Sequence, residues 1–249
     1  MKRFDGVKVL LTGAASGIGR ATAIRLAAEG AAIFAVDRSE EGLAGTAEAV
    51  GGPGTLTTRV VDVTDESAVV AAVREAVDVL GGIDVLANVA GAHRTTPIDE
   101  LTVEDLNFLF SVNLVGTALF CREAQRHLPD GTGVIVNVSS LSATQGNPYM
   151  SAYSASKGAV LSFSLSLAAE LSHRRIRVVP VSPGSTLTPL TLRPDVLPQG
   201  RDHRYFDRIL APFGAADPEQ IASVIAFAAS SDASYLTGLD LRVDGGSHM

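Results

Sequence analysis

Short apolar runs alternate with longer amphipathic ones along this chain. The runs KVLLTG, AAIFAVD, TRVVDV, IDVLANVAG, GVIVNVSS, IRVVPVSPG and LDLRVDGG are brief and rich in Val, Ile and Leu. Runs of that kind suit strands covered on both faces. Between them, alanine-rich segments place apolar residues at helical spacing over 17–29, 66–80, 103–127, 154–172 and 218–230. The alternation predicts an α/β fold: a doubly wound, mostly parallel seven-stranded sheet with about six helices on its two faces. One long irregular stretch, 185–213, is rich in Pro, Arg and His and reads as a lid or binding loop.

Composition narrows this picture. With 249 residues, 46% of them hydrophobic, the chain can bury a full core, and one domain spanning 1–249 is expected. The net charge of −7 and the lack of a basic tract argue against nucleic-acid binding. The N-terminal VKVLL is interrupted by Lys8 and soon meets glycine, so it reads as a strand and not a signal peptide. No apolar run approaches the roughly 20 residues of a membrane span, so a soluble, cytoplasmic protein is expected. The single cysteine, Cys121, cannot form an internal disulfide and sits where a buried thiol acts as a small hydrophobe. His93, His127, His173, His203 and His248 are scattered without metal-ligand spacing.

The first run leads into TGAASGIGRATAIRLAAEG, in strand, glycine turn and helix order, with Gly13, Gly17 and Gly19 in the turn. Glycines there let backbone N–H groups and the helix N-terminus approach a pyrophosphate closely. Ser16 and Ile18 belong to the same turn. The second run ends in Asp37, whose carboxylate can accept both hydroxyls of an adenosine ribose and would repel a 2′-phosphate. NAD is therefore favoured over NADP, with the adjacent Arg38 pulling the other way. Asp62 and Val63, at the end of the third run, suit the edge of an adenine.

In YSASK, Tyr153 and Lys157 stand four residues apart, on one face of a helix. A tyrosine with an ordinary pKa of about 10 is a poor base at neutral pH, and a neighbouring ammonium is one way to lower it. TGAASGIG at 12–19, NVAG at 88–91, YSASK at 153–157 and SPG at 182–184 occur together in one order. In this the chain resembles the short-chain dehydrogenases/reductases over essentially its whole length.

The resemblance implies a single-domain Rossmann fold and an NAD-dependent enzyme moving a hydride between a secondary alcohol, or its ketone, and nicotinamide. Tyr153 would be the general acid/base, Lys157 its electrostatic partner and ribose anchor, and Ser140 the donor to the substrate oxygen, with Ser139 the less favoured neighbour. Asn113, on a helix made irregular near it, would hold a water linking Lys157 to solvent. Asn88, Ala90, Gly91, Pro183, Gly184, Thr186 and Thr188 would complete the cofactor site, the last two at the nicotinamide carboxamide. The family often has two asparagines where this chain reads Asn88-Val89, a departure that bears on a sheet-bracing hydrogen bond. A homotetramer or homodimer joined through the helix after Tyr153 is also implied.

Substrate walls are expected from 92–97, 141–150 and the lid, which carry His93, Arg94, Gln145, Asn147, Tyr149, Met150, Leu190, Arg193, His203 and Arg204. Positive residues gather there, His93, Arg94, Arg193, Arg201, His203, Arg204 and Arg208, and suggest a substrate bearing a carboxylate or phosphate. VSPGSTLTPL is similar to the matching segment of 2,3-dihydro-2,3-dihydroxybenzoate dehydrogenases, whose substrate is an anionic cyclic diol. The competing readings are an NADPH-dependent 3-oxoacyl-carrier-protein or carbonyl reductase and, in a different class, a non-enzymatic dinucleotide-binding scaffold.

Overall fold

In the computed structural model, which describes residues 2–193, 202, 204 and 211–248, seven strands form one parallel sheet in the order β3-β2-β1-β4-β5-β6-β7. They are β1 (Lys8–Thr12), β2 (Ala32–Asp37), β3 (Thr55–Val60), β4 (Val85–Asn88), β5 (Val134–Val138), β6 (Arg177–Pro183) and β7 (Leu241–Val243). The central five are buried almost throughout, which is why their sequences are continuously apolar. β3, at the edge, mixes exposed and half-buried residues and carries three threonines.

Two apolar cores form, one on each face of the sheet. Leu11, Ile33, Ala87 and Val136 point to one, and Leu10, Phe34, Leu86 and Ile135 to the other, as strand alternation requires. Helices α1 (Gly17–Ala28) and α7 (Pro218–Ala229) cover the first face, while α3 (Glu66–Leu80), α5 (Gly116–Ala124) and α6 (Ser151–Leu171) cover the second. Helix starts carry their own signals: the Asp65 side chain caps α3, and Asp217 with Gln220 forms a capping box ahead of Pro218.

Two features depart from the periodicity. A helix α2 (Glu40–Ala49) follows β2 where none was singled out; Gly42 and Gly45 weaken its pattern, and the Ser39 side chain caps it. The single helix expected over 103–127 is interrupted. α4 (Val103–Phe110) and α5 are joined by a widened π-type turn, Ser111–Val115, which buries Asn113.

By length and composition the run Val103–His127 could cross a membrane, contrary to the expectation that no segment approaches that limit. Here, however, Leu109, Phe120, Cys121 and Ala124 on it are buried, the last three within the second core.

The strand order reverses between β1 and β4, and this decides where a ligand can sit. Connections leave β1 and β4 on opposite faces, opening a crevice at the carboxyl ends of the strands. Register from Val9↔Val85 to Thr12↔Asn88 brings Gly13 and Ala90 side by side at that edge.

Candidate active site

A cavity of about 1980 Å³ occupies this crevice. Its floor is the turn after β1. Gly13 and Gly17 have φ of +73° and +50°, in the left-handed region that favours glycine. A Cβ on Gly13 would lie 2.5 Å from the Ala90 nitrogen, and one on Gly19 would lie 1.9 Å from the Gly13 carbonyl oxygen. The chain can fold this tightly only without side chains at these positions. Ser16 stands at the N-cap of α1 and makes no side-chain cap bond, so N–H groups of the first turn face the cavity with the positive end of the helix dipole. The residues present therefore fit a dinucleotide pyrophosphate.

Beyond the turn, Asp37 reaches the cavity from the end of β2. Its two carboxylate oxygens accept bonds from the N–H groups of Ala15 and Ser39, at 3.1 and 3.0 Å. A carboxylate has lone pairs enough for further donors, and the bonds it already makes hold it in place. Arg38, Asp62 and Val63 line the same end. One oxygen of Asp62 is occupied by the N–H and hydroxyl of Thr64, closing a turn of its own. Arg20, not singled out in the sequence, clamps the floor by donating to the carbonyls of Ala15 and Gly42 and to the Thr46 hydroxyl.

Tyr153, Lys157 and Ser140 meet at the other end of the cavity. The Ser142 N–H donates to the Ser140 hydroxyl oxygen at 3.1 Å, which leaves the Ser140 proton free to point outward. Burial drives the Tyr153 pKa above its ordinary value, and a smaller opposing effect comes from its hydrogen bond with Ser140. Ser139, one residue earlier, donates instead to the Lys157 carbonyl and so fastens α6 to β5. Ser139 is thus committed to the fold, while Ser140 contacts the tyrosine.

Lys157 is anchored at the end of β5. Its ammonium donates to the Val138 carbonyl at 2.9 Å, and burial lowers its pKa to about 8. On its other side, a Cβ placed on Gly91 would lie 3.2 Å from Lys157 Nζ and 3.3 Å from Asn113 Oδ1, so both polar atoms border that glycine. Asn113 accepts from the Ala92 N–H and donates to the Ala92 carbonyl and the Ser156 hydroxyl. Ser156, hidden within YSASK, donates in turn to the Tyr153 carbonyl. The widened turn thus ties the NVAG loop to the helix that carries Tyr153.

Asn88 requires a correction. Of the cofactor residues expected in NVAG, Ala90 and Gly91 line the cavity and Asn88 does not. Its amide donates to Asn137 on β5 and to the Cys121 sulfur, so it braces β4 against β5 beneath the site. Buried in this network, Cys121 has its pKa pushed up to about 12, which leaves the thiol inert. Pro183, Gly184, Thr186 and Thr188 all line the cavity. Thr191, another residue that sequence reasoning passed over, donates to the Thr186 carbonyl and accepts from the Thr188 N–H.

The substrate end differs from expectation as well. His93, Arg94, Leu190 and Arg193 line it, but Gln145, Asn147, Tyr149 and Met150 lie outside its lining. Arg94 is ion-paired with Asp105 at 2.7 Å, and its guanidinium lies over the Phe108 ring at 4.2 Å. Arg204 is paired with Asp202. Arg201, His203 and Arg208 fall outside the described residues, as does most of the lid beyond Arg193. The positive charge expected at this end is therefore partly neutralised. No cluster of His, Cys, Asp or Glu able to hold a metal occurs among the described residues.

Comparison with known proteins agrees with this geometry. A family model described as enoyl-(acyl carrier protein) reductase matches residues 13–248. The 3-oxoacyl-[acyl-carrier-protein] reductase of Thermotoga maritima is 40% identical over 98% of both chains. This chain belongs to the short-chain dehydrogenase/reductase family. D-threitol dehydrogenase of Mycolicibacterium smegmatis is also 40% identical to this family member, over 98% of this chain and 94% of its own. Among solved structures, a short-chain dehydrogenase of Mycobacterium paratuberculosis bound to NAD superposes with a TM-score of 0.90 at 30% identity, over 98% of both chains. One from Burkholderia cenocepacia in complex with NADP gives 0.85 at 33%, over 99% of this chain and all of its own.

Proposed function

We propose that this short-chain dehydrogenase/reductase transfers a hydride between a secondary alcohol, or the corresponding ketone, and NAD(H), with Tyr153 as general acid/base. The carrying observation is that one crevice has Asp37 and the glycine turn at one end and Tyr153, Ser140 and Lys157 at the other. The nicotinamide, when bound, supplies the hydride acceptor or donor. In oxidation Tyr153 removes the hydroxyl proton, and in reduction it returns it. Ser140, oriented by the Ser142 N–H, donates to the substrate oxygen where charge develops.

Lys157, with its lowered pKa, exchanges protons near neutral pH. Its position beside Gly91 and Asn113 supports a proton path on that side. Asp37 would accept the adenosine ribose hydroxyls, and its charge opposes a 2′-phosphate. The named substrates of several relatives, D-threitol, glucose and meso-2,3-butanediol, all carry hydroxyls on neighbouring carbons. The reading includes one catalytic domain, a cytoplasmic location and association of copies through α6, whose outer face leaves Leu165 exposed.

A second reading is an NADPH-dependent 3-oxoacyl-carrier-protein reductase, favoured by the identity to the Thermotoga enzyme. Against it stand Asp37 and the pairing of Arg94 with Asp105, since an acidic carrier needs unpaired cations at the mouth of the site.

Calorimetric titration with NAD⁺ and NADP⁺, on wild type and Asp37→Ala, separates the two readings. Tighter NAD⁺ binding, with the gap narrowing in the variant, is expected; an NADP⁺ preference insensitive to Asp37 would move the carrier-protein reading to first place. Turnover that survived in Tyr153→Phe would sink both.

A further inference from the structure

We infer that Asn147 is a positioning residue for the reaction: through Ser142 it holds the turn that aims the Ser140 hydroxyl at Tyr153. The inference rests on the oxidoreductase reading above and deepens it. Asn147 lies outside the lining of the cavity, so its effect on the reaction passes through its neighbours.

Ser140 opens a single tight turn, Leu141–Ala143, after β5. The Ser142 N–H donates to the Ser140 hydroxyl oxygen at 3.1 Å, and the Ala143 N–H to the Ser140 carbonyl at 2.9 Å. A hydroxyl oxygen that accepts on one side turns its own proton to another, so the place of the Ser142 N–H decides where the Ser140 proton points. Ser142 is 6% exposed, and its hydroxyl accepts from the Asn147 amide at 2.6 Å. The Asn147 amide oxygen is buried without a donor, so among the described residues Ser142 is the partner that holds this side chain.

The far end of that bond is rigid. Pro148 confines residue 147 to extended backbone. Tyr149 follows at φ +59°, a conformation unfavourable for a tyrosine, and its carbonyl accepts from the Thr96 N–H at 2.7 Å. Asn147 is therefore a strut between the loop after β4 and the Ser140 turn. Without it, the buried Ser142 hydroxyl loses its donor and competes for the backbone groups of its own turn. The bond that orients Ser140 then loosens.

The test reads Tyr153 directly. Its hydrogen bond with Ser140 lowers the tyrosine pKa, so a loosened Ser140 lets it rise. Of the titratable groups around Tyr153, Lys157 lies one turn along α6, and His93, from the loop after β4, meets the tyrosine ring edge to face at 4.5 Å. Both stay unchanged in the variants used. Protein labelled with 3-fluorotyrosine is titrated by fluorine NMR, the Tyr153 signal being the one absent from Tyr153→Phe. Asn147→Ala and Ser142→Ala should each titrate at higher pH than wild type, and the double variant should match Ser142→Ala, because Asn147 acts through Ser142. Thr144→Ala, which removes a bond to His248 on the exposed side of the same turn, should titrate like wild type. With cyclohexanol and NAD⁺, Asn147→Ala should lower kcat about tenfold with KM little changed, short of the loss of about a hundredfold or more that follows removal of such a donor.

An unmoved Tyr153 titration or an unchanged kcat in Asn147→Ala, additive shifts in the double variant, or an equal shift in Thr144→Ala overturns the inference. If Asn147→Ala does not fold, an unmoved titration in Ser142→Ala overturns it instead. Failure of wild type to oxidise cyclohexanol or any other secondary alcohol overturns the oxidoreductase reading, and the titration, which needs no substrate, still decides whether Asn147 orients Ser140.

Discussion

Replacing Lys157 by methionine separates what this side chain costs the fold from what it does in the site. Burial lowers its pKa from 10.5 to about 8. At about 1.4 kcal/mol per tenfold change in proton affinity, that gap corresponds to about 3 kcal/mol of disfavoured charge. Below about pH 8 the lysine is charged in both the folded and unfolded chains, and the full cost is present. Between about 8 and 10.5 the unfolded chain binds more protons than the folded one, so this group makes stability rise with pH. Above 10.5 its effect is gone.

Methionine has a similar length and no charge, so the variant lacks this term at every pH. It also strips the Val138 carbonyl of its ammonium donor, an offset of about 1–3 kcal/mol that does not depend on pH. Unfolding in urea, followed by circular dichroism on both proteins at pH 7 and pH 10, reads the difference directly. Relative to the variant, wild type should gain about 2–3 kcal/mol between the two pH values, while the variant turns over substrate at least about a hundredfold more slowly. An unchanged difference between the proteins at pH 7 and pH 10 would refute the claim that the buried ammonium is held at a cost.

Three further outcomes are expected. Gly19→Ala forces a Cβ to within 1.9 Å of the Gly13 carbonyl; the turn must shift, and NADH binding followed by fluorescence should fall below detection even if the variant stays folded. Asn113→Ala removes three hydrogen bonds joining Ala92 to Ser156 and should cost about 2–4 kcal/mol in denaturant unfolding, with kcat falling more than KM rises. Glu29 is held at about 2 by bonds from Arg3 and then Arg25, against an ordinary 4.5. Its contribution of up to about 3 kcal/mol should be complete above pH 4.5 and fade as pH falls toward 2. Glu29→Gln should therefore be less stable at pH 7 and approach wild type in acid.

The alternation of apolar runs and helical segments determined the sheet, its parallel sense and the place of the crevice. These follow from burial on two faces and from connection rules that act locally. The glycine turn was legible for a similar reason: Gly13, Gly17 and Gly19 stand where no side chain can, and that constraint is written in residue type alone.

Only the tertiary structure decided which groups meet. Asn88 was expected at the cofactor, and pairing between β4 and β5 turned it to Asn137 instead. Lys157 shares a helical face with Tyr153, yet the nearest acceptor for its ammonium is the Val138 carbonyl of a different element. Arg94 read as a free cation until α4 brought Asp105 against it. The packing of His93 on Tyr153 joins residues sixty positions apart, and no periodicity encodes such a contact. Spacing determines what lies on one face of one element; long-range packing decides which faces share a desolvated space, and the chemistry of the site depends on that sharing.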